Sequence, residues 1–123
     1  MLLDEIYRVF YTSRDTSFGF RRLLSLPDKL SELGIRNTRV LIVLDPVLKG
    51  NSLVNEALDK LRGSGYDVVL YTKVEYEPSI DAVRELTAHV RDLGPAAVVG
   101  IGGGSVIDMA KAATIAYDNP DHD

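Results

Sequence analysis

Hydrophobic and polar positions change rhythm at Arg39, dividing the chain into two unlike stretches. Residues 5–12 set Ile6, Arg8 and Phe10 against Tyr7, Val9 and Tyr11 in strict alternation, which predicts a strand with two usable faces. Polar residues 13–17 predict a turn, and Phe18-Gly19-Phe20 the start of a return strand, so the first unit reads as a β-hairpin. Leu26, Leu30 and Leu33 then share one helical stripe, with Pro27 suited to its first turn and Gly34 to its C-terminal cap.

From Arg39 onward the spacing predicts strand, helix, strand, helix, strand, helix. Val40 to Leu44 is an unbroken apolar run, as expected of a parallel strand covered on both faces, and it stops at Asp45-Pro46. Residues 52–62 place Val54, Ala57, Leu58 and Leu61 on one helical face, closed by Gly63-Ser64-Gly65. Residues 68–71 predict the second parallel strand. Pro78-Ser79 caps a helix carrying Ile80, Val83, Leu86, Val90 and Leu93, and Gly94-Pro95 ends it. Residues 96–101 predict the third strand. The last helix, from Ser105 to about Tyr117, is apolar on most sides and is expected to be buried.

Such alternation predicts an α/β fold: a parallel sheet with right-handed crossovers and flanking helices, preceded by the hairpin. With the three strands in the order second, first, third, the loops after Leu44 and Ile101 flank the point where chain direction reverses. Ligands of open α/β sheets sit in that crevice, so Asp45 and the residues after Ile101 are expected to face one ligand.

Those residues are Gly102-Gly103-Gly104-Ser105, the most informative stretch of the chain. Glycines let the backbone approach a ligand closely. Ser105 is expected to cap the helix, whose unpaired first amides and positive dipole end favour a phosphate. Neither G-x-G-x-x-G nor the Walker A pattern is met, because the glycines are consecutive, follow the third strand and are not continued by Lys-Ser/Thr. The competing explanation is a glycine-rich turn used only for tight packing.

Three charged residues can be read in two ways. Asp45 ends a strand where a carboxylate accepts ribose hydroxyls and repels a 2′-phosphate, yet Asp-Pro is also an ordinary strand-ending turn. Asp108, three residues after Ser105, fits a variant capping box that returns to the Ser105 amide. Lys111 fits an intrahelical pair with Asp108, although a charge on so apolar a helix suggests an open cleft. His89 and His122 have no partners at metal-ligand spacing and are expected on solvated surface. No serine stands in a nucleophile elbow.

Composition narrows the field. The chain has 123 residues, 46% hydrophobic and 26% charged, which suits a single folded domain. A net charge of −4 without a basic block disfavours nucleic acid as a partner. The absence of cysteine excludes disulfides and fits a cytoplasmic setting, and neither a leader nor a membrane span is expected.

The run from Gly102 to Ala112 resembles the signature G-G-G-S-x-x-D-x-A-K-A of the iron-containing (group III) alcohol dehydrogenases. Phe18-Gly19, Leu44-Asp45 and Glu77-Pro78-Ser79 follow that family's order, although Glu77 stands where the family usually has asparagine. The resemblance implies a Rossmann-like, N-terminal NAD(P)-binding domain over residues 1–123. Gly103, Gly104 and Ser105 would lie against the pyrophosphate, Asp45 at the adenosine ribose, favouring NAD over NADP, and Asp108 near the nicotinamide end. Gly102 and Lys111 complete the expected cofactor-binding set. Ser105 with Lys111 favours the alcohol dehydrogenase branch over glycerol dehydrogenase or dehydroquinate synthase.

The family's divalent metal, iron or zinc, is implied to belong to a C-terminal helical domain that nothing in this sequence matches. The expected activity, hydride transfer between an alcohol/aldehyde pair and nicotinamide, would therefore need more than these residues. The alternative expectation is a free-standing α/β nucleotide-binding or interaction module without catalysis. An exposed apolar sheet edge, at residues 96–101 or a neighbouring strand, would in that case favour a homo-oligomer.

Overall fold

The computed structural model describes residues 8–10, 17–36 and 38–118. Strand β1 (Arg8–Phe10) pairs antiparallel with β2 (Ser17–Gly19), which makes the expected hairpin. Its turn at residues 13–16 lies outside the described residues, as does His122. A 3₁₀ segment, Phe20–Ser25, which the hydrophobic spacing does not announce, leads into α1 (Leu26–Glu32). Gly34, at φ +81°, closes that helix: the Gly34 N–H donates to the Ser31 carbonyl at 3.0 Å and the Ile35 N–H to that of Leu30 at 2.9 Å.

The remaining elements are β3 (Arg39–Leu44), a 3₁₀ turn (Pro46–Leu48), α2 (Ser52–Gly63), β4 (Asp67–Tyr71), α3 (Ile80–Leu93), β5 (Ala97–Gly102) and α4 (Gly104–Asp118). Boundaries fall within a residue or so of the sequence-based expectation because side-chain caps fix them. Asn51 Oδ1 accepts from the N–H groups of Leu53 and Val54 at the start of α2, and Ser79 Oγ accepts from Ala82 at the start of α3. Gly94, in the left-handed region, ends α3.

The sheet order is β2-β1-β5-β3-β4, with β3 parallel to both β4 and β5. The expected order of the three parallel strands is thus realised. The expectation of an exposed edge at residues 96–101 is not: β5 lies inside the sheet, because the hairpin returns and β1 pairs with it antiparallel, Arg8 opposite Gly102. The described edges are β2 and β4, and β4 leaves Leu70 exposed.

Strict alternation along β3 and β5 splits the core in two. Val40, Ile42, Leu44, Ala97, Val99 and Ile101 point to one face, against α1 and α2. Leu41, Val43 and Val98 point to the other, against Leu86 and Val90 of α3 and Val106, Met109, Ala110 and Ala113 of α4. A Cβ on Gly100 would stand 3.3 Å from Ala110 Cβ and from Ile107 Cδ1, so a glycine there lets α4 lie close on the sheet. Only one face of α4 is buried, contrary to expectation. Ile115 and Tyr117 are exposed near its end, and Asp108 is exposed near its start.

Candidate nucleotide site

The C-terminal ends of β3 and β5 lie side by side, Leu44 opposite Ile101, and the next residues stay together: the Asp45 N–H donates to the Ile101 carbonyl at 3.0 Å. Asp45 is 4% exposed, and its Oδ1 accepts from the Val47 N–H at 3.0 Å. The turn-forming role weighed for this Asp-Pro pair is therefore realised. A carboxylate with two oxygens retains further acceptor capacity beyond that one bond.

Gly102 and Gly104 are glycines for different reasons. A Cβ on Gly102 would come to 2.7 Å from Val106 Cγ2 and 3.0 Å from Asp45 Cβ, so the protein's own packing requires glycine there. At Gly104 no heavy atom lies within 4 Å of such a Cβ, and neither Gly103 nor Gly104 has positive φ. Among the described residues nothing asks for glycine at Gly104, where alanine would favour the helix. Packing alone therefore explains the first glycine of the run and leaves the third unexplained.

Ser105 does not cap α4. The helix begins at Gly104, and the Gly103 carbonyl accepts from the N–H groups of Val106 and Ile107, both at 3.1 Å. Ser105 sits inside the first turn because the chain enters the helix as soon as β5 ends, so Asp108 does not stand three residues after the residue that precedes the helix. The capping-box expectation for Asp108 falls with it. The amides of Gly104 and Ser105 open the helix without an intrahelical acceptor, at the positive end of its dipole.

The Ser105 hydroxyl instead donates to the Tyr76 carbonyl, in the loop between β4 and α3. Three loops thereby meet at the head of α4: Asp45 from after β3, Tyr76 from after β4 and the glycines from after β5. Sequence inspection misses Tyr76, because it contributes a backbone carbonyl that any residue carries. Glu77, beside it, is exposed. Asp108 and Lys111 follow Ser105 at successive three-residue steps, which places Lys111 about 9 Å along the helix from Ser105. Asp108 is exposed and Lys111 half-buried.

Among the described residues, no three His, Cys, Asp or Glu side chains stand together to hold a metal ion. His89 is exposed and meets the Tyr71 ring edge-on at a centroid distance of 5.0 Å. No helix among the described residues is long and apolar enough to cross a membrane.

A doubly wound sheet with a glycine run at the switch point and a buried acid beside it is the arrangement in which open α/β sheets take up ligands. The family model for iron-containing alcohol dehydrogenases matches residues 13–123, and the chain belongs to that family. Long-chain-alcohol dehydrogenase 1 of Geobacillus thermodenitrificans is 35% identical over 97 residues, covering 79% of this chain and 24% of the relative. The NADPH-dependent butanol dehydrogenase of Clostridium saccharobutylicum is 30% identical over 113 residues, covering 91% of this chain and 28% of the relative. The crystal structure of NADH-dependent butanol dehydrogenase A from Thermotoga maritima superposes with a TM-score of 0.68 at 29% identity, covering 77% of this chain and 24% of that one. The chain thus spans about a quarter of the length of these relatives.

Proposed function

We propose that these residues form the nicotinamide-dinucleotide-binding part of an alcohol dehydrogenase that moves hydride between an alcohol and its aldehyde. The open space at Gly104 carries this reading. A glycine that the protein's own packing does not need, at the head of a helix with free amides, suits a ligand that presses on the backbone. A pyrophosphate meets both requirements, the amides of Gly104 and Ser105 donating to its oxygens.

Asp45 supports the assignment of polarity. Its position beside Gly102 suits a ribose whose hydroxyls donate to the carboxylate, and its charge opposes a 2′-phosphate, which favours NAD over NADP. The names of the relatives span both cofactors, one NADPH-dependent and one NADH-dependent, so Asp45 is the residue of this chain that argues between them. Asp108 and Lys111 run along α4 away from the phosphate position, as a wall toward the nicotinamide end.

Nicotinamide, when bound, supplies the hydride-accepting carbon. This chain's contribution is to hold and orient the dinucleotide. The described residues do not offer the ligand set of the divalent metal that the family resemblance implies. Residues 1–123 are read as one N-terminal cofactor-binding unit acting in a cytoplasmic enzyme, with the alcohol recognised outside it.

Titrating the chain with NADH and following nicotinamide fluorescence tests the assignment. Saturable binding that Gly104→Val abolishes, with the circular dichroism spectrum unchanged, is the expected result. Wild-type chain that fails to bind NADH at millimolar concentration would overturn it.

A further inference from the structure

We propose that the Ser105 hydroxyl is a latch that holds the β4–α3 loop through the Tyr76 carbonyl and releases it when a phosphate accepts that hydroxyl's hydrogen bond instead. The inference rests on the nucleotide assignment and adds to it a movement of the loop.

The starting point is a count of protons. A serine hydroxyl has one O–H to donate, and here that donor is spent on the Tyr76 carbonyl. A pyrophosphate in its ionised form offers acceptors only. If it docks on the amides of Gly104 and Ser105, the Ser105 hydroxyl cannot donate both to it and to Tyr76. Charge decides the contest, because a hydrogen bond to an ionised acceptor is roughly twice as strong as one to a neutral carbonyl.

The loop is held at its ends, half-buried Val74 packing against the core on the β4 side and Ser79 capping α3 on the other, and its middle is free to move. Its other bonds are local: the Val74 N–H donates to the Thr72 carbonyl, and Ser79 donates through Oγ to Glu75 Oε2 while its own oxygen caps α3. Lys73 pairs with Glu85 of α3 at 3.1 Å, so that end of the loop is fastened to the helix it precedes. Tyr76 is 67% exposed and Glu77 is exposed, so little burial holds the middle of the loop against α4. Glu77 follows Tyr76 directly, its Cα about 3.8 Å from that of Tyr76. Releasing Tyr76 lets this carboxylate withdraw from an arriving anion, so repulsion and the lost hydrogen bond push the loop the same way.

Amide hydrogen exchange of the chain, read over residues 72–79 with and without saturating NADH, tests the latch. In the wild type, NADH should raise exchange in this segment roughly threefold to tenfold, the range that loss of one net hydrogen bond supports. Ser105→Ala should exchange at the raised level with or without NADH. Ser105→Thr, which keeps the hydroxyl, should follow the wild type. NADH that binds but leaves the wild-type segment unchanged or slower would overturn the latch and leave the nucleotide assignment standing. So would Ser105→Ala exchanging like the wild type without NADH. A wild type that binds no NADH would remove both.

Discussion

Asp45 and Gly102 stand so close that a methyl group on the glycine would lie 3.0 Å from Asp45 Cβ, with Val106 Cγ2 nearer still at 2.7 Å. That contact brings the ends of β3 and β5 together and sets the floor of the cleft. Gly102→Ala should therefore destabilise the fold by about 1–3 kcal/mol, the usual cost of overpacking. Gly104→Ala, with no atom in the way, should leave the melting temperature equal or slightly higher and weaken NADH at least tenfold. Thermal melts and NADH titrations of the two variants side by side provide the check. A Gly104→Ala variant that melts early yet binds normally would return the whole glycine run to a packing role.

The Asp45 carboxylate has two duties, and one substitution separates them. Asp45→Asn retains an amide oxygen to accept from the Val47 N–H and so preserves the turn at Pro46–Leu48, while removing the charge. NADPH affinity should then rise relative to NADH by about tenfold, the worth of roughly 1.4 kcal/mol of relieved like-charge repulsion. The ratio of the two dissociation constants measures it directly. An unchanged ratio would confine Asp45 to the turn.

Most of the fold is legible because hydrophobic spacing and caps agree with it. The apolar run Val40 to Leu44, the Ser79 cap and the glycines at Gly34 and Gly94 each specify local structure that the tertiary fold then uses. The covering of β5 by β1 is not legible, since it depends on a pairing between distant segments that no local spacing records. The site divides along the same line. Asp45 and the glycines follow from strand ends, whereas the Ser105–Tyr76 contact joins a hydroxyl to a main-chain carbonyl 29 residues away, and a carbonyl has no sequence signature. Serine is a common capping residue, which makes Ser105 look like the cap, but the chain turns helical one residue before it.

Two buried tyrosines should respond to phenylalanine in opposite directions. The Tyr66 hydroxyl donates to the Ile35 carbonyl across 31 positions, so Tyr66→Phe leaves that carbonyl unpaired and should cost about 1 kcal/mol. Among the described residues the Tyr71 hydroxyl is buried without a hydrogen-bond partner, so Tyr71→Phe should raise stability by about 1 kcal/mol while keeping the edge-on ring contact with His89. Urea unfolding of the two variants decides the matter. Equal losses in both would mean that Tyr71 is satisfied in solution by a group such as a bound water.

The same two hydroxyls make stability fall at alkaline pH. Burial is the leading cause that raises each tyrosine above the ordinary value of 10.0; Arg36 offsets it and Asp28 adds to it at Tyr66, while Glu85 and Glu75 add to it at Tyr71. Below the ordinary value both folded and unfolded chains keep these protons, and the contribution is fully present. Above it the unfolded chain releases them first, the folded chain holds more protons, and stability declines with each step toward the folded values. Urea midpoints should thus drop as pH rises past the ordinary tyrosine value of 10.0, and the Tyr66→Phe/Tyr71→Phe double variant should drop less over the same rise. A double variant with the wild-type slope would assign the alkaline loss to other groups.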